Sequence, residues 1–303
     1  MPKPAFRAGT IHVQVPASSA NLGPGFDALG LALALYDDVV ARIGDDGVTI
    51  DVAGEGVEEV PRDDSHLVVR SMRAVFERFG GQPRGIELVC ANRIPHGRGL
   101  GSSAAAIVAG LLVGRALVVG GDANLPDPEA LALAAELEGH PDNVAPCLLG
   151  GLTVAWTADG RADALRLGVD PVVSPALLIP PTGTATNEAR GLLPEHVPHA
   201  DAVFNASRSA LLVAALTERP DALLPATDDR LHQPYRAGAM GDSAALVAKL
   251  RASGLPAVIS GAGPAVLVLA RGHDEAGAAA AQAPAGWRVE RVAIDLSGAH
   301  VVR

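Results

Sequence analysis

A chain of 303 residues with 49% hydrophobic and 3% aromatic side chains has material for one large or two moderate domains, and its core must be built from Val, Leu, Ile and Ala. A formal net charge of -10 argues against nucleic acid or an anionic membrane as the main partner. Cys90 and Cys147 are far apart and form no CxxC pattern, which argues against a zinc site or a disulfide framework and favours buried thiols.

The N-terminal MPKPAFRAG lacks the apolar centre of a signal peptide, and the most apolar helical stretch is interrupted by Arg115, so a cytoplasmic protein is expected. Ile11, Val13 and Val15 alternate, predicting a half-buried strand that runs into the turn-rich PASSANLGPGFDALG, 16–30. Over 65–79 the residues Leu67, Val68, Ser71, Met72, Val75, Phe76 and Phe79 recur at helical spacing, and Gly80-Gly81 ends the run. Residues 86–90 read as a short apolar strand, 102–118 as an Ala-rich helix, and Asp127-Pro128 as the start of a helix through Glu138. After the strand-like GLTVAW, the polar TADGRADALRLG is the expected domain boundary, dividing the chain into 1–163 and 164–303. The second half reads as α+β, with strands at 175–179, 257–260, 265–270 and 289–294 and helices near 202–216 and 242–252. No repeat period or low-complexity tract is evident, although the Ala-rich 276–284 comes close.

PHGRGLGSSAAA, 95–106, carries the most chemistry. Gly97, Gly99 and Gly101 permit tight turns and close backbone approach to a ligand, just where a helix N-terminus concentrates N–H groups and partial positive charge. Ser102 and Ser103 add hydroxyls suited to a phosphate or to Mg²⁺. A nucleoside triphosphate fits this chemistry best. The loop is not a GxxxxGK[ST] P-loop, since the only lysines are Lys3 and Lys249, nor a GxGxxG dinucleotide loop, since Ser102 stands at its sixth position.

Three separated motifs, PASSANLGPGFDALG (16–30), PHGRGLGSSAAA (95–106) and SGAGPAVLVL (260–269), resemble in order the three motifs of the GHMP kinases. The further segments EGHPDNVAPCLLGG, TNEARGLLP and HQPYR resemble the branch of that superfamily whose acceptor is the hydroxyl amino acid L-homoserine. The resemblance implies an α+β fold of two domains, the first like ribosomal protein S5 domain 2 and the second ferredoxin-like, with the active site between them. It implies transfer of the ATP γ-phosphoryl group to the side-chain hydroxyl of L-homoserine with Mg²⁺, as in threonine biosynthesis, and a homodimer.

By the same resemblance Pro95, His96, Gly97, Arg98, Gly99, Leu100, Gly101, Ser102, Ser103, Ala104 and Ala105 hold the nucleotide, and Ser103 with Glu136 holds Mg²⁺. Glu138 competes with Glu136 for that role; Glu136 and His140, four apart on a helix, would share a face. Asn21, Asp27, His140, Asn143, Arg190 and Arg236 match positions that contact the amino acid, and the guanidinium groups suit a carboxylate. Thr186 matches a threonine near the transferred phosphate. Asp27 or the phosphate itself takes the hydroxyl proton, the resemblance favouring the phosphate. Arg98 replaces a small polar residue of many relatives and either meets a phosphate or points to solvent.

Overall fold

Residues 4–183 and 191–302 are described by the computed structural model. β1 (Ile11–Ala20) and β2 (Leu29–Gly44) form a long antiparallel pair whose register shifts between Pro16 and Ala17. Proline lacks an N–H for the ladder, and a bulge accommodates it. The segment expected to be all turn over 16–30 is therefore strand at both ends, and only 21–28 turns. The 16-residue β2 reaches far enough to pair with β4 (Gly85–Asn92) at one end and β5 (Leu152–Ala158) at the other. β3 (Gly47–Gly54) lies parallel to β4, with α1 (Leu67–Arg78) as the crossover between them. Neither β2 nor β3 is predicted above, because their Asp, Gly and Arg residues interrupt the apolar alternation.

Three further helices complete the first unit: α2 (Ser102–Leu117), which packs against α1 and the sheet, and α3 (Asp127–Glu138) and α4 (Pro141–Leu149), which pack against α2, each other and the sheet. α2 is buried nearly all round, which is why its sequence shows little polar face. Gly110 and Gly114 let α1 approach closely; a Cβ at Gly110 would lie 2.4 Å from the Val68 carbonyl oxygen.

β6 (Arg161–Leu167) pairs antiparallel with β5 across the turn at Asp159-Gly160. The expected boundary at 163/164 thus falls inside a hairpin strand of the first sheet. The polar alternation of 161–167 marks an edge strand with alternate residues in water, and the chain leaves the first sheet only over 168–172.

The second unit is a four-stranded antiparallel sheet of β7 (Val173–Ile179), β8 (Ala257–Ile259), β9 (Val266–Arg271) and β10 (Arg288–Arg291), ordered β10-β7-β9-β8. With α6 (Gly241–Ala252) before β8 and α7 (Gly272–Ala280) before β10, this is the ferredoxin-like βαββαβ arrangement. An additional helix, α5 (His199–Thr217), precedes them. The sheet is buried on both faces: Ala265, Leu267 and Leu269 join the large core shared with the first unit, while Val266, Val268 and Ala270 pack beneath α6 and α7. That explains the unbroken apolar run of 265–270. Past β10 the chain returns to the first sheet, where Ile294 bridges Leu33 and β11 (His300–Val301) pairs with β1. No described helix is long and apolar enough to cross a membrane.

Candidate active site

The glycine loop leaves β4 under the control of Asp37, a buried side chain of β2 that accepts the N–H groups of Arg93 (2.6 Å) and Ile94 (2.9 Å). Burial pushes the Asp37 carboxyl up, and these bonds only partly oppose it. Gly101 caps α2 in a left-handed conformation (φ 69°), and the cap has no side-chain hydrogen bond. The exposed N–H groups of the first turn and the Ser102 and Ser103 side chains are therefore what this end of α2 offers a ligand. Leu100, Ala104 and Ala105 are fully buried, so they contribute backbone and packing, not side-chain contacts.

The loops of the two units are stitched together at this point. Gly99 (φ 72°) lies so close to the second unit that a Cβ would sit 2.0 Å from the Ser260 carbonyl oxygen. The Ser260 hydroxyl donates to the Gly99 carbonyl (2.7 Å) and stands 2.8 Å from that of Ser19. Ala265 N–H reaches the Arg98 carbonyl (3.2 Å), and Gly261 N–H the Ala20 carbonyl (3.1 Å). Arg98 itself is spent on carbonyls: it donates to His96 (2.6 Å), Pro180 (3.1 Å) and Pro181 (2.5 Å). Neither sequence-based alternative for Arg98 describes this. It ties the loop to the end of β7, leading into 184–190.

Facing the glycine loop is the 21–28 turn. Asn21, Leu22 and Asp27 all take positive φ (68°, 51° and 54°). Asn21 is 5% exposed; its amide donates to the Gly261 carbonyl (2.9 Å), and its Oδ1 accepts the Asp27 N–H (3.0 Å). Its hydrogen bonds thus hold the turn and the second unit together and leave Asp27, half-buried, as the more open of the pair. Ser18 donates to Asn143 Oδ1 (2.9 Å), and the same two side chains crowd the open face of Gly101. His140 begins α4, with Nδ1 2.5 Å from the buried Asp142 carboxylate.

Arg236 closes the other side, 3% exposed, with its guanidinium 5.3 Å over the Phe26 ring. His232, fully buried, stacks on Phe26 and bonds the Gly23 carbonyl through Nε2 (2.7 Å). Burial pushes this imidazole below its usual range, although Asp229 and Asp27 oppose that. Asp229 accepts the N–H groups of Leu231, His232 and Gln233 and so fixes the turn carrying Arg236. Asn205 and Ser209 of α5 both donate to the Pro24 carbonyl. Thr186 and Arg190 lie outside the described residues.

The structure places the two glutamates weighed for the metal in different surroundings. α3 ends at Glu138 and His140 is in extended conformation, so the helical face argued for Glu136 and His140 does not continue. Glu136 is exposed beside a small cleft with Thr157 and Arg161. Glu138 instead accepts the Ser103 hydroxyl at 2.6 Å. Burial raises the Glu138 carboxyl, while Ser103 and the nearby His140 lower it in part. Two hard oxygen groups meeting at a helix N-terminus suit Mg²⁺ beside a triphosphate. Among the described residues no group of three or more His, Cys, Asp or Glu is arranged to hold an ion by itself.

Next to the α2 N-terminus lies a cavity of about 270 Å³ lined by Val15, Val39, Val60, Val68 and Cys90 and also by Ser65, His66, Ser102 and Ser103. Sequence reading missed it, along with Ser18, Ser260, Asp229 and His232, because partners from distant segments give each its role.

Family models give this architecture its class: that for the N terminal domain of the GHMP kinases matches 66–151, and that for their C terminal domain matches 211–289. A homoserine kinase of Streptomyces avermitilis is 60% identical, with 100% of this chain and 99% of the relative aligned, and one from Clavibacter michiganensis is 50% identical over 96% and 93%. The crystal structure of homoserine kinase from Cytophaga hutchinsonii superposes with a TM-score of 0.84 at 27% identity, over 98% of this chain and 99% of that one. L. major mevalonate kinase, 15% identical with a TM-score of 0.69, shares the fold. The chain belongs to the homoserine kinase family of the GHMP kinases.

Proposed function

We propose that this protein transfers the γ-phosphoryl group of ATP to the side-chain hydroxyl of L-homoserine, giving O-phospho-L-homoserine and ADP, the step that threonine biosynthesis requires. The observation that carries the reading is the Ser18–Asn143 pair crowded against Gly101, because it joins the end of β1 and the start of α4, on the acceptor side, to the cradle of the donor side. Phosphoryl transfer depends on such positioning and on charge stabilisation more than on covalent help from the protein.

The α2 N-terminus and the loop from Pro95 to Ala105 hold the phosphates, and the adjoining cavity takes the nucleoside. Ser103 and Glu138 hold Mg²⁺, which when bound supplies positive charge beside the triphosphate. Asp27 receives the ammonium of homoserine, while Arg236, its guanidinium already largely desolvated, receives the carboxylate; Arg190 is assigned to the same carboxylate from the family motif. His140 and Asn143 orient the hydroxyl, and Asn21 acts by holding Asp27 in place. Thr186 stays assigned to the transferred phosphate by the motif alone. Of the two acceptors for the hydroxyl proton, Asp27 and the phosphate itself, the family resemblance favours the phosphate oxygen. ADP release coupled to a dehydrogenase, with L-homoserine as acceptor and mevalonate, a sugar and no acceptor as controls, tests the reading; equal rates in all four would refute it.

A further inference from the structure

His232, the first residue of HQPYR, is fully buried between the 21–28 turn and Arg236, and its two ring nitrogens face different kinds of group. Nε2 lies 2.7 Å from the Gly23 carbonyl and 3.4 Å from Asp229 Oδ2, and both of these accept, so Nε2 carries the hydrogen. Nδ1 lies 3.4 Å from Arg236 Nη1, and a guanidinium only donates, so Nδ1 presents its lone pair. The two contacts together require a neutral ring with its hydrogen on Nε2. Burial acts in the same direction, as does the Arg236 charge, against Asp229 and Asp27. The backbone adds to the arrangement: the Arg236 N–H donates to the His232 carbonyl (3.1 Å), and Asp229 accepts the His232 N–H (3.2 Å). Phe26, from the turn, stacks on the imidazole with ring centroids 5.0 Å apart and also meets the Arg236 guanidinium.

We propose that His232 is a positioning residue for the acceptor's head group: Nδ1 holds the Arg236 guanidinium and Nε2 holds the turn that presents Asp27, so that the two opposite charges stand at one fixed spacing. An α-amino acid carries its ammonium and carboxylate on a single carbon, and a site that reads both needs its anion and cation fixed relative to each other. A protonated imidazole would turn an N–H toward a guanidinium and lose that hold. The inference rests on the reading that Arg236 meets the carboxylate and Asp27 the ammonium, and it adds the residue that sets the spacing between them.

The test compares His232→Gln, His232→Asn and Arg236→Leu in the full chain by homoserine KM and kcat, ATP affinity and thermal melting. Glutamine puts an N–H where Nε2 stands and keeps the tie to Gly23, but offers Arg236 no acceptor; asparagine puts an oxygen where Nδ1 stands and cannot reach Gly23. His232→Gln should therefore raise the homoserine KM roughly five- to tenfold, the effect of one lost hydrogen bond, with kcat and ATP affinity within about twofold of wild type. His232→Asn should keep that KM within about threefold of wild type and melt below His232→Gln, because it leaves the buried Gly23 carbonyl unpaired. A homoserine KM that follows the melting order, or a wild-type KM in His232→Gln, overturns the proposal. In the Arg236→Leu background His232→Gln should change homoserine kcat/KM by less than about twofold, since the guanidinium it acts through is already gone, and a full repeat of its penalty there overturns the proposal too. Should one imidazole variant fail to fold, the KM of the other decides. Should both fail, nitrogen-15 spectra of histidine-labelled wild type decide: absence of any imidazole held as the Nε2–H tautomer from about pH 5.5 to about pH 8 overturns the proposal. A wild-type homoserine KM in Arg236→Leu overturns the carboxylate assignment and this proposal with it, whereas a raised KM there beside a wild-type KM in His232→Gln overturns this proposal alone.

Discussion

Replacing Glu138 by glutamine separates two effects that run in opposite directions. Glutamine keeps an oxygen for the Ser103 hydroxyl, which now donates to Glu138 Oε1 over 2.6 Å, and removes only the charge. That charge is unfavourable in the protein alone, because burial raises the carboxyl and Ser103 offsets only part of the effect. Glu138→Gln should therefore melt at the wild-type temperature or a few degrees higher. Catalysis should respond with the other sign. Losing one carboxylate from the set that steadies Mg²⁺ beside the triphosphate removes on the order of 3 kcal/mol of transition-state stabilisation, or roughly a hundredfold in kcat. The control is Glu136→Gln: its side chain is exposed beside Arg161 and Thr157, and the variant should turn over like wild type. ADP release at saturating ATP and homoserine, followed across a Mg²⁺ titration, reads the catalytic effect, and thermal melts read the effect on stability. Wild-type kcat in Glu138→Gln, or its loss in Glu136→Gln, would refute the reasoning and return the metal to the exposed glutamate.

The loop junction makes a graded prediction. Gly99→Ala puts a Cβ 2.0 Å from the Ser260 carbonyl oxygen at a φ of 72°, whereas the Cβ of Gly101→Ala meets the Ser18 hydroxyl, a side-chain atom able to rotate. Urea unfolding should show Gly99→Ala destabilised by about 2–4 kcal/mol and Gly101→Ala by less; the reverse order would mean that the backbone contact at Gly99 yields easily. Arg236→Leu should raise the KM for homoserine by roughly thirtyfold or more while leaving ATP affinity near wild type, because the lost partner leaves a desolvated carboxylate unpaired; a change in ATP binding alone would contradict the assignment. Burial pushes the Cys90 thiol up to about 12 from 9.0. Below the unfolded value both states hold the proton, and above it the unfolded chain ionises first, so this contribution to stability is present up to about pH 9 and lost as pH rises towards 12. Cys90→Ala should flatten the fall of the urea midpoint between about pH 8 and pH 10.5, and an unchanged slope would show that the thiol is not the source.

The local chemistry of the chain already determined much of the phosphate side. Three glycines followed by two serines at the start of an Ala-rich segment specify a helix that begins without a side-chain cap, and that is how α2 begins at Gly101. The apolar spacing of 65–79 likewise suffices for α1, and the continuous apolar run of 265–270 for a buried strand. These signals are legible because they depend on neighbours within a few residues. Tertiary structure decided what depends on partners far along the chain. The polar hairpin of 161–167 joins the first sheet because β5 offers it an edge, and the last residues return there because Ala32 and Ala34 have free backbone groups for Asp295 and Ala293. As letters, helical spacing to His140 favours Glu136 over Glu138 as the ligand. Only the orientation of the last turn of α3 gives Ser103 to one and water to the other. Arg98, open between a phosphate and solvent as a letter, bonds the Pro180 and Pro181 carbonyls of the opposite unit as well as that of His96 in its own loop, Asn21 bonds the Gly261 carbonyl of the opposite unit, and His66 reads as an ordinary residue before a helix until the fold buries it beside a cavity. Sequence spacing specifies periodicity and backbone freedom, while the partner of a buried polar atom is fixed only once distant segments are packed together.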